Sequence, residues 1–390
     1  MNSVVKVGII GIGNMGSAHF NCIYNSEIDG LKVTSVCDID IQKLKKVKES
    51  YTDIETFSNY KEFMLKSDTD AVIIAVPHPL HAEIAVAAFK AGKHVLLEKP
   101  IDIAVSKAEA LCREAKKSKK IFAIMFNQRT NGLFAEARRI VRSGELGELK
   151  RSVWIITNWY RTQNYYDSGA WRATWKGEGG GVLLNQCPHQ LDLWQWICGM
   201  PKKVLSKLHY GLWHDIEVED DVTTYVEYEN GATGVFITST GDAHGVNRFE
   251  IQMDKGRLIA ENEKLELLEY DMTEQEFSKT NTEPFATVGA KKIEVETDGE
   301  NPQHVGVLNA WGGAIIRGES LVAGGEEGIN GLTLSNAMHL SSWLDKEITL
   351  PFDEELYYNE LMKRVATSKR KTNVKEVVAD TSGSYSGTKL

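Results

Sequence analysis

The chain has no run approaching the ~20 apolar residues of a membrane-spanning helix, and its opening, Met1-Asn2-Ser3, leads into a β-branched segment without a basic leader. A cytoplasmic protein with no membrane partner is the expectation. Positive charge is also short. The 45 Lys and Arg residues stand against 54 Asp and Glu, and the net charge of −9 argues against a phosphate-backbone binder, so no nucleic acid is expected. Cysteine is scarce as well. Cys22, Cys37, Cys112, Cys187 and Cys198 are odd in number, scattered and without C-x-x-C spacing, which indicates neither a disulfide framework nor a zinc site. They read as reduced thiols filling a core, and no metal is expected.

What is present is the composition of a globular protein, 42% apolar and 25% charged, in 390 residues, longer than one hydrophobic core usually grows. Two domains with a cleft between them are expected. Apolar β-branched runs (Val4 to Ile10, Leu31 to Cys37, Ala71 to Val76, His94 to Leu97, Ile121 to Phe126) alternate with helical patterns, the signature of an α/β doubly wound parallel sheet over residues 1–126. From 127 to 366 the texture changes to longer strands of alternating polarity, with hairpin turns at Asn230-Gly231 and Asp254-Lys255-Gly256. An α+β domain with a large, mostly antiparallel open sheet is predicted, with one face free for a partner subunit in a dimer or tetramer. Residues 271–303 read as an exposed acidic excursion, and 367–390 as a mobile tail or an arm laid on a neighbour.

Strand, then Gly11-Ile12-Gly13-Asn14-Met15-Gly16, then helix is the G-x-G-x-x-G pattern in the context that gives it meaning: a tight turn, close backbone approach to a pyrophosphate, and close helix packing. The helix N-terminus then favours phosphate charge. Asp38 ends the second strand, where a carboxylate accepts from ribose hydroxyls and repels a 2′-phosphate; no arginine follows it directly. The cofactor read from this is NAD rather than NADP. Pro77 and His78, after the third apolar strand, are placed to line the dinucleotide, while His81 reads as a helix-start residue bonded locally.

Glu98-Lys99-Pro100 closes the next strand and puts a lysine at the carboxyl edge of the sheet. In a cleft it can polarise an alcohol or ketone oxygen; taken alone it is more often a surface lysine. Further on, Gly179-Gly180-Gly181 enters a helix starting near Pro188, tolerated only in a first turn. Asn185, His189 and Asp192 are spaced to share a face, so Asp192 can orient the imidazole and His189 can act as a general base. A core histidine packed among Leu183, Leu191, Trp194 and Trp196 is the alternative.

Together the G-x-G-x-x-G turn, Gly92-Lys93-His94-Val95, Glu98-Lys99-Pro100, Asn127-Gln128-Arg129, Gly144-Glu145-Leu146-Gly147 and the glycine run with its His-x-x-Asp helix resemble the glucose-fructose oxidoreductase/inositol dehydrogenase family (Gfo/Idh/MocA) over nearly the whole chain. The resemblance implies oxidation of a secondary alcohol of a sugar or cyclitol, or the reverse, with Lys99 and His189 at the reacting oxygen. It also groups Glu98, Lys99 and Asn127 with the cofactor residues. One position departs: the family often has an aspartate four residues before the histidine, and this chain has Asn185, which cannot serve as a carboxylate. Aromatics interleaved with cations between 158 and 176, Tyr160, Arg161, Trp175 and Lys176 among them, suit a sugar pocket, with Asn185 and Asp192 completing it. Oxidation of a glucoside at C3 is the preferred expectation. An inositol or anhydrosugar dehydrogenase, or a non-catalytic NAD-binding sensor, are the alternatives.

Overall fold

The computed structural model describes residues 4–25, 27–369, 371 and 374. Its first layer is a parallel sheet of β1 (Val5–Ile10), β2 (Leu31–Cys37), β3 (Glu55–Phe57), β4 (Ala71–Ile74), β5 (His94–Leu97) and β6 (Phe122–Ile124), in the order β3-β2-β1-β4-β5-β6. The crossovers are α1 (Asn14–Tyr24), α2 (Ile41–Ser50), α3 (Tyr60–Lys66), α4 (His81–Lys90) and α5 (Val105–Ser118). Strand order reverses between β1 and β4, so the turns after these two strands face one crevice, the place where a doubly wound sheet binds its ligand. The strands form because their apolar runs are buried on both faces: Val7, Ile9, Val72 and Leu96 are inaccessible to solvent. Sequence periodicity missed β3 and α3, a three-residue strand and a seven-residue helix too short to show a period. Helix α1 starts within the fingerprint, so that Asn14, Met15 and Gly16 are themselves helical.

After α6 (Gly132–Ser143), capped by the Asn131 side chain and ended by Gly144 at φ +80°, the chain builds a nine-stranded second sheet. Its strands are β7 (Leu149–Ile156), β8 (Lys203–Tyr210), β9 (Glu219–Glu227), β10 (Thr233–Ser239), β11 (Asn247–Met253), β12 (Gly256–Glu261), β13 (Lys264–Tyr270), β14 (Ala290–Val295) and β15 (Ile348–Thr349). The pairs are antiparallel except β7 with β10, which run parallel. Between β7 and β8 lie α7 (Gln163–Asp167), α8 (Trp175–Glu178) and α9 (Pro188–Cys198); α10 (Glu274–Thr280) follows β13. The excursion expected at 271–303 is thus partly structured, with β14 extending the sheet edge alongside β13.

The remaining helices, α11 (Gln303–Arg317), α12 (Gly328–Leu344) and α13 (Glu354–Thr367), tie the layers together. Packing does not divide cleanly at residue 126: Val307, Leu308 and Trp311 of α11 share a core with Val7, Ile9 and Leu31 of the first sheet. The second sheet is anchored by Trp154, stacked on Phe249 at 4.2 Å between centroids, a pair worth ~1 kcal/mol beyond its buried area. Of the expected tail, only residues 367–369, 371 and 374 are described. Ser368 and Lys369 bind the Glu217 carboxylate there, and the rest of 367–390 lies outside the described residues.

Candidate active site

The fingerprint turn is shaped by contacts that only glycine permits at two of its three positions. Gly11 has φ +93°, and a Cβ there would sit 2.3 Å from the Ala75 carbonyl oxygen; one on Gly16 would sit 1.8 Å from that of Gly11. Gly13 differs, because a Cβ on it would meet nothing within 4 Å. Its backbone therefore faces open space at the start of α1, the cradle a dinucleotide pyrophosphate requires. Asn14 and Met15 are half-buried in the first turn of α1. Asp38, just past β2, accepts from the Ile12 amide at 2.7 Å and the Asp40 amide at 2.8 Å. Each oxygen keeps a further lone pair, so the carboxylate is held at the turn and still able to accept from a ribose.

The turn after β4 brings Pro77 and His78 to the same edge. His78 is buried, with Nδ1 3.3 Å from the Glu178 carbonyl oxygen; burial, with the nearby His81 and Lys99, holds it well below the usual imidazole range. His81 is bracketed locally, its ring nitrogens 2.6 and 2.8 Å from the Pro100 and Val76 carbonyl oxygens.

Beyond β5, Glu98 and Lys99 point to different partners. Glu98 lies 2.6 Å from His19 of α1. Burial opposes its ionisation, yet the His19 contact and the charges of His304 and Lys99 hold it at about 2. Lys99 Nζ donates to the Asn185 carbonyl oxygen at 2.9 Å. Burial lowers the Lys99 pKa and Arg172 adds to this, against the pull of Glu98 and Glu178. Asn127, in the turn after β6, donates to Gln303 through Nδ2 while its buried Oδ1 has no partner.

Gly179 to Cys187 brings the second half of the site up to Lys99. The run is glycine-rich because a Cβ at Gly181 would lie 2.1 Å from the Glu219 carbonyl oxygen of β9. Pro188 opens α9 at its first position, and His189 follows. His189 Nδ1 is buried without a hydrogen-bond partner, and the ring meets Phe126 edge-on at 6.2 Å. Burial, then the charges of Lys99 and His304, depress its pKa far below the ordinary value. The imidazole is consequently neutral near pH 7, with one nitrogen free of protein partners.

Two expectations are corrected. Asp192 does not orient His189: its two oxygens accept from Arg129 Nη2 and Nε, both at 2.7 Å, and from Gln195 at 3.0 Å. It is buried, as is Arg129, which also reaches Glu327 at 2.6 Å, so Asp192 is a structural ion-pair residue rather than a pocket wall. Helical spacing allowed an Asp192 to His189 contact, but a cation from the turn after β6 competes for the same carboxylate. Trp175 is a core residue, its ring packed on Tyr210, Trp343 and His339 at 5.7, 5.8 and 6.0 Å. Lys176, beside it on α8, is exposed.

Tyr160 is exposed, and Arg161 lies over Trp159 and Tyr165 at 5.5 and 5.1 Å. Residues not singled out from sequence complete the site. Arg172 donates to the Tyr165 hydroxyl at 2.9 Å with its guanidinium over that ring, and Glu178 accepts from the Asn185 side chain. Arg172 sat within the aromatic run and Glu178 directly before the glycines, positions that carry no local signal of a shared site. Among the described residues no group of three or more His, Cys, Asp or Glu could hold a metal ion, and no helix is long and apolar enough to cross a membrane.

An NAD-type dinucleotide cradle with a half-buried lysine and a neutral histidine defines an oxidoreductase of the Rossmann class. Residues 5–126 match the oxidoreductase family with NAD-binding Rossmann fold, GFO_IDH_MocA, and residues 134–259 match the GFO/IDH/MocA C-terminal domain. The chain belongs to the Gfo/Idh/MocA family, and its first domain is the NAD-binding one. It is 26% identical to the myo-inositol 2-dehydrogenase of Thermotoga maritima over 66% of this chain and 75% of that one. It is 25% identical to the levoglucosan dehydrogenase of Pseudarthrobacter phenanthrenivorans over 68% and 75%. Among solved structures, the WlbA dehydrogenase from Chromobacterium violaceum with NADH and UDP-GlcNAcA superposes with a TM-score of 0.74 at 25% identity, covering 90% of this chain and 97% of that one. A levoglucosan dehydrogenase with NADH shares the fold at TM-score 0.74, 19% identity, 90% and 100% coverage.

Proposed function

We propose that this protein oxidises a secondary ring hydroxyl of a sugar or glycoside, with a glucoside oxidised at C3 to the 3-keto-glucoside as the preferred substrate. The observation that carries it is the neutral His189 imidazole, only half-buried and close enough to Lys99 to feel its charge. NAD, held by Gly11, Gly13, Gly16 and Asp38, supplies the hydride acceptor when bound. Lys99 donates a hydrogen bond to the substrate oxygen and favours the charge that grows there as the proton leaves. His189 takes that proton as general base. Phe126 meets one edge of the imidazole ring and shields part of it from water. Tyr160, with the guanidinium groups of Arg161 and Arg172 stacked on Tyr165, supports the choice of a pyranoside, since flat apolar faces suit ring C–H groups and the cations suit hydroxyls.

The names of the relatives support a sugar or polyol substrate without fixing which one. A panel of methyl glucosides, levoglucosan and myo-inositol with NAD⁺, read by NADH absorbance, tests the assignment. Glucoside oxidation is expected to dominate, and oxidation of myo-inositol alone would move the substrate to a cyclitol. Lys99→Met and His189→Ala should each lower kcat by roughly 10²–10⁴-fold. Activity within a few-fold of wild type in both would remove them from the chemistry. We also place the protein in the cytoplasm as a homo-oligomer through the open face of the second sheet, where the cross-strand pair Leu205 and Tyr225 is exposed; a monomer mass by light scattering would refute the latter.

A further inference from the structure

The position four residues before His189 holds an amide, Asn185, yet an acid reaches the same spot from elsewhere in the chain. Glu178 ends α8, immediately before the glycine run, and is buried. Its Oε1 accepts from Asn185 Nδ2, and its Oε2 accepts from the Ala173 amide at 2.5 Å. Asn185 in turn accepts from Lys99 Nζ through its backbone oxygen at 2.9 Å. We propose that Glu178 is the carboxylate of this active site, a positioning residue that acts through Asn185 on Lys99. The inference rests on the reading of Lys99 as the residue that holds the reacting oxygen.

Two consequences follow from the geometry. An ionised carboxylate only accepts, so Glu178 fixes the NH₂ end of the Asn185 amide toward itself and leaves Oδ1 as the atom Asn185 can offer a substrate hydroxyl. Asn185 also links ammonium to carboxylate in one residue, and the negative charge of Glu178 favours the Lys99 ammonium against burial. The charged groups that face Glu178 are Lys99, Arg172 and Lys371 on one side of the balance and Glu219 on the other, with the buried His78 against its backbone oxygen. Burial pushes the Glu178 carboxyl up to about 7, against the pull of the Ala173 amide, Arg172 and Asn185. Its protonation state therefore changes over the range in which a dehydrogenase works. The proton comes from solvent and returns to it, and no covalent step is involved.

The test compares wild type with Glu178→Gln, which keeps the length and an acceptor for Asn185 but carries no charge. With NAD⁺ and methyl α-D-glucopyranoside or myo-inositol, kcat should fall by about tenfold or more, the loss of one charge-assisted contact, while KM stays within about threefold. The inflection of kcat/KM near pH 7 should disappear, and Asn185→Asp in the Glu178→Gln background should restore most of kcat. An unchanged kcat and pH profile in Glu178→Gln overturns the proposal. A second readout needs neither substrate nor cofactor. Because the folded carboxyl titrates near 7 and the unfolded one near 4.5, the folding equilibrium of wild type relative to Glu178→Gln should fall by at least about tenfold from pH 5 to pH 8. A constant difference across that range overturns it. If wild type oxidises neither compound, the assigned activity fails, and the unfolding titration still decides whether Glu178 carries its charge at this site.

Discussion

Asp192 separates two roles that a His-x-x-Asp helix can combine, and Asp192→Asn tells them apart. In the structure its carboxylate forms a two-pronged contact with Arg129, both bonds 2.7 Å, at a place where neither side chain is more than 2% exposed. Removing one partner of a buried pair costs roughly 3–5 kcal/mol, because the other charge is left without compensation. Here the asparagine keeps the shape and one acceptor, and Glu327 still holds Arg129 at 2.6 Å. The lower end, about 3 kcal/mol or about two decades in the folding equilibrium, is therefore expected. Equilibrium urea unfolding reads it as a lower midpoint at unchanged slope, and thermal unfolding as a Tm lower by several degrees. Activity measured well below the new Tm should fall only a few-fold, through slight displacement of α9. If instead Asp192→Asn leaves the unfolding midpoint in place and lowers kcat by ~10²-fold or more, the carboxylate serves the His189 imidazole and the structural reading of the pair is wrong.

Two further outcomes follow from the structure. Gly13→Ala should leave Tm within about a degree and weaken NADH binding at least about tenfold, since its Cβ meets no protein atom but stands where the backbone approaches pyrophosphate; Gly16→Ala, whose Cβ would lie 1.8 Å from the Gly11 oxygen, should lower both, as thermal shift and NADH fluorescence titration will show. Burial keeps His78 and His189 neutral in the folded protein, so below the unfolded imidazole pKa the unfolded chain gains protons that the folded one refuses. Their contribution to stability should accordingly be lost as pH falls from about 7 to 5, opposite in sign to that of Glu178, so wild type should lose stability relative to His189→Gln over that range; a constant difference between the two would show that His189 is not held neutral.

Much of the first sheet was legible because both-face burial writes itself as continuous apolar runs, and β2 and β5 fall at the boundaries read from sequence. β3 and α3 were not, since three and seven residues give periodicity nothing to count. In the second sheet, alternation located the strands, but the parallel pairing of β7 with β10 is a property of the sheet and not of either strand. The site divides in the same way. Gly11, Asp38 and Lys99 lie just past strand ends and Gly13 and Gly16 at the helix start that follows β1, where local pattern fixes position, and strand order sets the turns after β1 and β4 on one crevice.

What sequence by itself determined, then, is the dinucleotide cradle and the lysine at the sheet edge, because glycine spacing, strand ends and helix starts are local matters of backbone sterics. What tertiary structure alone decided is the partnership of every charged group around them. Asp192 answers to Arg129 from 63 residues away, and Lys99 reaches Asn185 across 86. Glu98 is held by His19, 79 residues distant. Buried charges must find compensation wherever the fold brings it, and no spacing rule within one helix can say which partner will arrive.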